Sequence, residues 1–222
     1  MKLITIGAVT LLNVILAIYY FRLIALKKIR PALAMWVFFF LAVALSLFTY
    51  LKEGDFSIWD NILNTADLFF VGSVTLTIFF FGDRSSRFNR FDIGCLAVVI
   101  GIVIFWMFTH NHFVTNLLVQ GILVIAYFPV INRMVRSGEN HESYLIWGGM
   151  LLAAGMALPV SSGDLALVYT LRAIISILLL MGLMFYTDWK RGRKTQSTHN
   201  MIAQKREETR EERRFDENLE KR

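Results

Sequence analysis

The chain has 222 residues, of which 56% are hydrophobic, and a formal net charge of +6. A soluble globular chain is about 45–50% apolar. The surplus here lies in long runs of Leu, Ile, Val and Phe, so the composition excludes an ordinary soluble domain and indicates a membrane protein. The single cysteine, Cys95, excludes an intrachain disulfide.

Seven apolar stretches are long enough to cross a bilayer core, which takes about 20 helical residues. We predict spans at residues 3–25, 32–51, 61–81, 93–110, 113–132, 144–161 and 165–186. We predict that the first span is retained, because no small-residue cleavage site follows it as in a secretory signal. A very tight turn at Thr109–His112 separates spans four and five, since one span there would run to about 40 residues, more than a bilayer needs.

Basic residues in the short loops predict the orientation of the chain. They follow spans one, three, five and seven: Lys27, Lys28, Arg30; Arg84, Arg87, Arg90; Arg133, Arg136; Lys190, Arg191, Arg193, Lys194. The opposite ends carry Lys2 and Lys52 alone. We therefore expect the N-terminus outside the cytoplasm and the C-terminus inside, and we interpret the net charge as a topology signal rather than as affinity for nucleic acid.

Two segments indicate an internal repeat. Asn13–Leu26 and Gln120–Arg133 share six identities in fourteen positions at a constant offset of 107 residues. This offset superposes spans one to three on spans five to seven, and parallel three-helix repeats need one linker helix between them. The predicted fold is an all-α membrane protein with seven transmembrane helices in two such repeats. Its boundaries are 1–92 for the first bundle, 93–112 for the linker helix, 113–190 for the second bundle and 191–222 for a charged cytoplasmic tail.

The tail changes composition abruptly. From Lys205 on it has seven acidic and seven basic residues, and no heptad seam runs through it. It is predicted to be a charged extension of span seven or a disordered tail, with docking of a partner as the alternative.

Polar residues inside spans cost free energy, so their positions indicate where function lies. Residues three or four apart share one face of a helix, which groups Asn61, Asn64 and Asp67, then Asn116 and Gln120, then Tyr169 and Arg172. We expect the following residues to converge on one external-facing cavity and bind substrate: Asn13, Asn64, Asp67, Asn116, Gln120, Tyr169 and Arg172.

Arg172 and Asp67 are the charged residues deepest in the predicted spans. An arginine near the middle of a span costs about 2.5–3.5 kcal/mol unless a partner or water receives it. The simplest inference is a charge pair across the pseudo-twofold axis. Such a pair either lines a substrate site or gate, or only holds two helices together.

Other residues suggest structural roles. His110 and His112 are two apart and therefore face different ways, so we predict a wet turn and no metal site. Pro129 and Pro159 are predicted hinges, although either could simply end a helix. The five tryptophans lie near span ends and are mostly predicted to be interface anchors, while Trp36 and Trp147 also suggest equivalent sites in the two repeats.

The stretch QGILVIAYFPVINRMVRSGENHES, followed by Tyr144 and Trp147, resembles the PQ-loop motif of the SWEET-like transporter superfamily. The residues that fit are Gly121, Tyr127, Pro129, Arg133, Arg136, Ser137, Ser143 and Trp147. Val130 stands where the family has glutamine, and the first repeat has Arg22 where the second has Pro129. The resemblance implies seven spans in a 3+1+3 arrangement and a substrate pocket between the bundles, lined by spans three and seven.

We therefore expect a small polar-solute transporter that works by alternating access. The alternative is a non-transporting seven-helix receptor or scaffold that acts through its cytoplasmic tail. An enzyme is not expected, because the sequence has no paired nucleophile and base, and no cofactor is expected. Expected partners are the lipid bilayer, a small polar solute and a second copy of the chain, but no nucleic acid, and the compact loops favour a bacterial inner (plasma) membrane.

Overall fold

A computed structural model describes residues 2–82, 90–109 and 112–220, and their side chains except for 102, 105, 106, 109, 112 and 194–220. Across these residues the chain is helical, without strands. The helices are α1 (Lys2–Ala25), α2 (Leu33–Glu53), α3 (Ile62–Phe81), α4 (Arg90–Thr109), α5 (His112–Ile125), α6 (Phe128–Ser137), α7 (Tyr144–Ala157) and α8 (Asp164–Glu220), with a 3₁₀ turn at Leu158–Val160. Arg84, Arg87 and most of the predicted turn, His110 and Asn111, lie outside the described residues.

Five helical segments of the described chain are long and apolar enough to cross a membrane: Lys2–Ala25, Leu33–Glu53, Ile62–Phe81, Phe113–Ser137 and Asp164–Arg193. They coincide with predicted spans one, two, three, five and seven, and they indicate an integral membrane protein. The two other predicted spans correspond to α4 and to α7 with its 3₁₀ turn, a shorter apolar helix over Tyr144–Val160.

The helices pack in two groups that meet along a central interface. Helix α3 packs against α1 and α2, and α8 packs against α7 and the α5–α6 segment. Between the groups, α1 lies against α7 and α2 lies against α5. Helix α4 contacts α5 and α6. Helix α3 also contacts α7 and α8 across this interface, so it is the place where side chains from both groups can share one site.

Aromatic side chains fill the interface. Trp36 and Trp147 are fully buried and stack on each other with ring centroids 6.2 Å apart. The prediction that tryptophans anchor the chain at the membrane surface is therefore wrong for this pair, because both rings bury their apolar faces in the core. Trp59 and Trp189 are about half exposed, as anchors require. The side chain of Trp106 lies outside those described.

The fifth span is broken next to Pro129. Helix α5 ends at Ile125, Tyr127 donates its backbone N–H to Val124 O at 3.1 Å, and α6 begins at Phe128. Proline has no backbone N–H for a helical bond and its ring crowds the preceding turn, so the break follows from the sequence. Pro159 lies in the 3₁₀ turn that closes α7, where it ends a helix. The hinge role of both prolines stays a prediction.

Helix α8 continues far beyond its apolar segment. Its backbone is helical to Glu220, which agrees with the predicted charged extension of span seven. Whether it docks a partner stays a prediction.

Candidate functional site

A connected set of polar side chains lies between the two groups of helices. We call it the central cluster: Ser46, Thr49, Asn64, Asp67, Asn116, Gln120, Tyr169 and Arg172. Apart from Arg172, which is half-buried, these side chains are buried. They come from α2, α3, α5 and α8, so both groups of helices contribute.

Gln120 is the hub of the central cluster. Its Nε2 donates to Asn116 Oδ1 at 2.9 Å and to Ser46 Oγ at 3.2 Å, and its Oε1 accepts from Arg172 Nε at 3.2 Å. The amide of Asn64 lies 3.0 Å from the same Ser46 Oγ, and its polar atoms are best satisfied with the oxygen facing this hydroxyl. Hydrogen bonds thus run from α3 through α2 and α5 to α8.

Asn116 ties α5 to α2. Its Nδ2 donates to Ser46 O at 3.1 Å and to Thr49 Oγ1 at 3.0 Å. The four-residue spacing of Asn116 and Gln120 correctly predicts a shared face, because the two side chains bond to each other across one helical turn.

Asp67 and Arg172 do not form the predicted direct ion pair. Tyr169 links them instead: its hydroxyl donates to Asp67 Oδ2 at 2.9 Å, and the Arg172 guanidinium carbon lies 4.7 Å from the centre of its ring. The aromatic side chain occupies the space that a direct pair would need. Each charge therefore keeps a neutral partner, and Asp67 has no further side-chain hydrogen bond among the described residues.

Asp67 and Arg172 line a small cavity at the interface. Its volume is about 20 Å³, and its walls come from five helices. Asp67, Tyr169 and Arg172 are its polar walls, while Phe39, Tyr127 and apolar residues close the remainder. A cavity needs roughly 10–15 Å³ to hold one water molecule, so this conformation has room for about one.

Asn13 does not join the other predicted binding residues. It is buried between α1 and α3, donates its Nδ2 to Val9 O at 3.1 Å, and lines a groove of about 510 Å³ on that side of the molecule. Leu16, one turn further along the same buried stripe of α1, packs instead on Gly149 of α7. Asn61 caps α3, since its side chain accepts the Asn64 backbone N–H at 3.3 Å.

Ser46 and Thr49 belong to the central cluster although the sequence analysis did not select them. They are three apart on α2 and fully buried. That spacing was the available signal, but hydroxyls in spans commonly bond their own helix, as Thr49 Oγ1 does by donating to Leu45 O at 3.0 Å.

One end of the interface is closed by two loops, 54–61 and 161–163. We call it the outer end and the opposite one the inner end, after the orientation predicted from the sequence. Ser162 donates its backbone N–H to Asp60 O at 2.9 Å, and Tyr50 donates its hydroxyl to Ser162 O at 2.9 Å. Phe56 stacks on Tyr50 with centroids 4.8 Å apart and lies beneath Gly163. The contacts join the two groups of helices across the mouth of the interface.

An ion pair supports the outer end. Lys2 Nζ lies 2.7 Å from Asp60 Oδ1, and Ser57 donates to the same carboxylate from its backbone N–H and its hydroxyl. These donors, with Lys2 the strongest, lower the pKa of Asp60 to about 2.

The inner end is closed by the loops 26–32 and 138–143. Arg133 Nη1 donates to Arg30 O at 2.6 Å, and the Arg30 backbone N–H donates to His141 O at 3.4 Å. Beneath them, Tyr20 donates its hydroxyl to Glu142 Oε2 at 3.3 Å. The interface is therefore closed at both ends, with the small cavity between them.

Nothing in the described part of the chain groups three or more His, Cys, Asp or Glu side chains that could hold a metal ion. No protein-family model matches the chain, and no curated protein or solved structure is significantly similar to it.

Proposed function

We propose that the chain is a small polar-solute transporter that works by alternating access between two three-helix bundles, with α4 as the linker helix. The observation that carries this proposal is the central cluster: a hydrogen-bonded set of largely buried polar residues from both bundles around one small cavity. Buried polar and charged groups in a membrane domain are costly, and they commonly mark substrate pathways.

The packing of the helices fits a parallel repeat. In the predicted repeat, α1 is equivalent to α5, and α2 is equivalent to α7. The contact between α1 and α7 is therefore equivalent to the contact between α5 and α2, and both contacts are present. The same exchange pairs the inner loops with each other and the outer loops with each other. An arrangement with this symmetry can open one end while it closes the other by rocking the two bundles.

The charges suggest the class of solute. Because Asp67 and Arg172 are held by Tyr169 and Gln120 rather than by each other, a carboxylate and a guanidinium both line the cavity. A zwitterion such as an amino acid has the complementary pair of charges. The cavity of about 20 Å³ is too small for such a solute, so the bundles must separate to admit it.

Melting temperatures of the purified protein with sugars, amino acids, nucleosides and organic acids test this proposal. A ligand that binds the folded state at about 100 times its Kd stabilises it by about 2.7 kcal/mol. We expect a zwitterionic solute to raise the melting temperature of the wild type and of Arg22→Gln, an exposed control arginine, but not of Arg172→Gln. A panel without any effect, or the same shift in Arg172→Gln, would overturn the proposed site.

The second candidate function is a receptor or scaffold. The helical extension of α8 to Glu220 favours it, because a charged helix of this length provides a surface for a soluble partner. Absence of solute binding would move the interpretation to this alternative.

A further inference from the structure

Glu142 is a buried carboxyl group at the inner end. Its residue is 6% exposed, and its Oε2 accepts hydrogen bonds from Tyr20 Oη and from Trp147 Nε1, each at 3.3 Å. Its Oε1 is buried and has no hydrogen-bond partner. Tyr20 belongs to α1 and Trp147 to α7, so this carboxyl group lies where the two bundles meet.

Within the described part of the chain, no cation forms an ion pair with Glu142. Arg133 faces it but donates to Arg30 O. Asn140 accepts the Glu142 backbone N–H at 2.9 Å and donates its own amide to Asp188 on α8 at 3.2 Å. The titratable and charged groups that act on Glu142 are Tyr20 on α1 and Arg133 on α6. Arg133 also faces Asp92 on α4. The adjacent His141 faces Glu139, Arg30 and Arg191, and Asp188 on α8 accepts from Asn140 and Tyr144.

An ionised carboxylate in this position is costly, because one of its oxygens is desolvated and unpaired. A neutral carboxyl group loses much less on burial. Desolvation accordingly raises the pKa of Glu142 from 4.5 to about 7, although the hydrogen bonds from Trp147 and Tyr20 and the charge of Arg133 oppose the shift.

We propose that Glu142 is a proton-binding site that holds the inner loops together when it is protonated and loosens them when it is ionised. The inference rests on the proposed function only for the purpose of the opening, which would be to release solute at the inner end. The site itself is defined by the contacts of Glu142 across the two bundles.

The sign of the pH dependence follows from linkage. In an open inner end Glu142 meets water and titrates near its ordinary value, so the closed state binds the proton more tightly. Closure is then favoured at low pH and weakened as the pH rises through about 7. Each unit of difference between the two pKa values is a tenfold change in the ratio of closed to open protein, so the full effect of a shift from 4.5 to about 7 is roughly 300-fold.

Carbon-13 NMR of protein labelled at the glutamate carboxyl carbon tests the site directly. Labelling glutamate alone removes any signal from Asp67 and Asp92. We expect one resonance to titrate near neutral pH, to vanish in Glu142→Gln, and to persist in Glu139→Gln, whose carboxylate is paired with Arg191 at 3.1 Å. If all glutamates titrate near their ordinary pKa, the inference is wrong.

A distance measurement tests the gate. Spin labels on cysteines at the exposed positions Lys28 and Arg136, in a Cys95→Ser background, report the separation of the inner loops. We expect the population with a longer distance to grow as the pH rises from about 4.5 to about 7, the window between the ordinary and the raised pKa of Glu142, and to stay small in Glu142→Gln. A distance distribution that ignores pH, or that changes equally in Glu142→Gln, would overturn the gating role.

Neither experiment uses a solute, so its outcome is separate from that of the proposed transport. A titrating Glu142 in a protein that binds no solute would leave the proton site intact and remove the transporter. A glutamate that does not titrate near neutral pH would leave the solute site untouched.

Discussion

Removing the Tyr169 hydroxyl tests how the central cluster stabilises its charges. The hydroxyl donates to Asp67 Oδ2 at 2.9 Å, and this is the one side-chain hydrogen bond that Asp67 makes within the described residues. Phenylalanine keeps the ring beneath Arg172 and removes the hydroxyl, and with it the bond to Asp67. A hydrogen bond to a charged group contributes about 1.5–3 kcal/mol, and leaving a buried acceptor unsatisfied costs a similar amount.

The prediction is best measured as a double-mutant cycle of Tyr169→Phe and Asp67→Asn. At roughly 2–4 °C per kcal/mol for a chain of this size, Tyr169→Phe should lower the melting temperature by about 3–12 °C. The two substitutions together should cost less than the sum of their separate effects, by at least about 1.5 kcal/mol. Tyr19→Phe is the matched control, because the half-buried Tyr19 has no hydrogen bond within the described structure.

The double-mutant cycle gives a different result if Tyr169 and Asp67 act independently. If the two substitutions add to within about 0.5 kcal/mol, Tyr169 does not hold Asp67, and the interpretation of the cluster as one connected unit fails.

Two further predictions concern the outer end. Gly163→Ala should lower the melting temperature by several degrees. The φ of +81° at this position costs a non-glycine residue about 1–2 kcal/mol, and the new Cβ would lie 2.9 Å from the Phe56 ring. The control is Gly155→Ala on α7, where a Cβ meets open space and the substitution should be neutral or stabilising. The lowered pKa of Asp60 means that its stabilising effect is present above its ordinary pKa of 3.8 and is lost as the pH falls towards about 2. Between about pH 4 and about pH 2, the thermal stability of Asp60→Asn should therefore fall less than that of the wild type. The difference should be no more than about 1 kcal/mol, because the ion pair is partly exposed. The control is Asp55→Asn, which changes an exposed acid in the same loop and should behave as the wild type. The prediction for Gly163 is contradicted if Gly163→Ala leaves the melting temperature unchanged. The prediction for Asp60 is contradicted if Asp60→Asn keeps the acid sensitivity of the wild type.

The apolar runs and the helical spacing of polar residues are local properties, so they could be predicted from the sequence. The spacing of Asn116 and Gln120 correctly indicates a shared face. The turn between α5 and α6 lies just before Pro129, while the hinge at this residue stays a prediction. The position of a residue within a predicted span indicates its depth in the membrane, but it does not indicate which neighbouring helix the side chain faces. The insertion of Tyr169 between Asp67 and Arg172, and the turn of Asn13 towards α3, therefore appear only in the fold.

Glu142 illustrates the same limit for a loop. In the sequence it lies in a short polar stretch after α6, where an acid is normally solvated. Its burial arises because α1 brings Tyr20 and α7 brings Trp147 to the same carboxyl group. Nothing local to residues 138–143 indicates that contact.

Transport is tested most directly by solute uptake into proteoliposomes, with the zwitterion that raises the melting temperature supplied outside. We expect saturable uptake by the wild type and by Arg22→Gln, and none by Arg172→Gln, because the guanidinium that Gln120 positions at the cavity would be lost. Failure of folded, inserted wild-type protein to take up that solute, or equal uptake by Arg172→Gln, would contradict a transporter with its site at the central cluster.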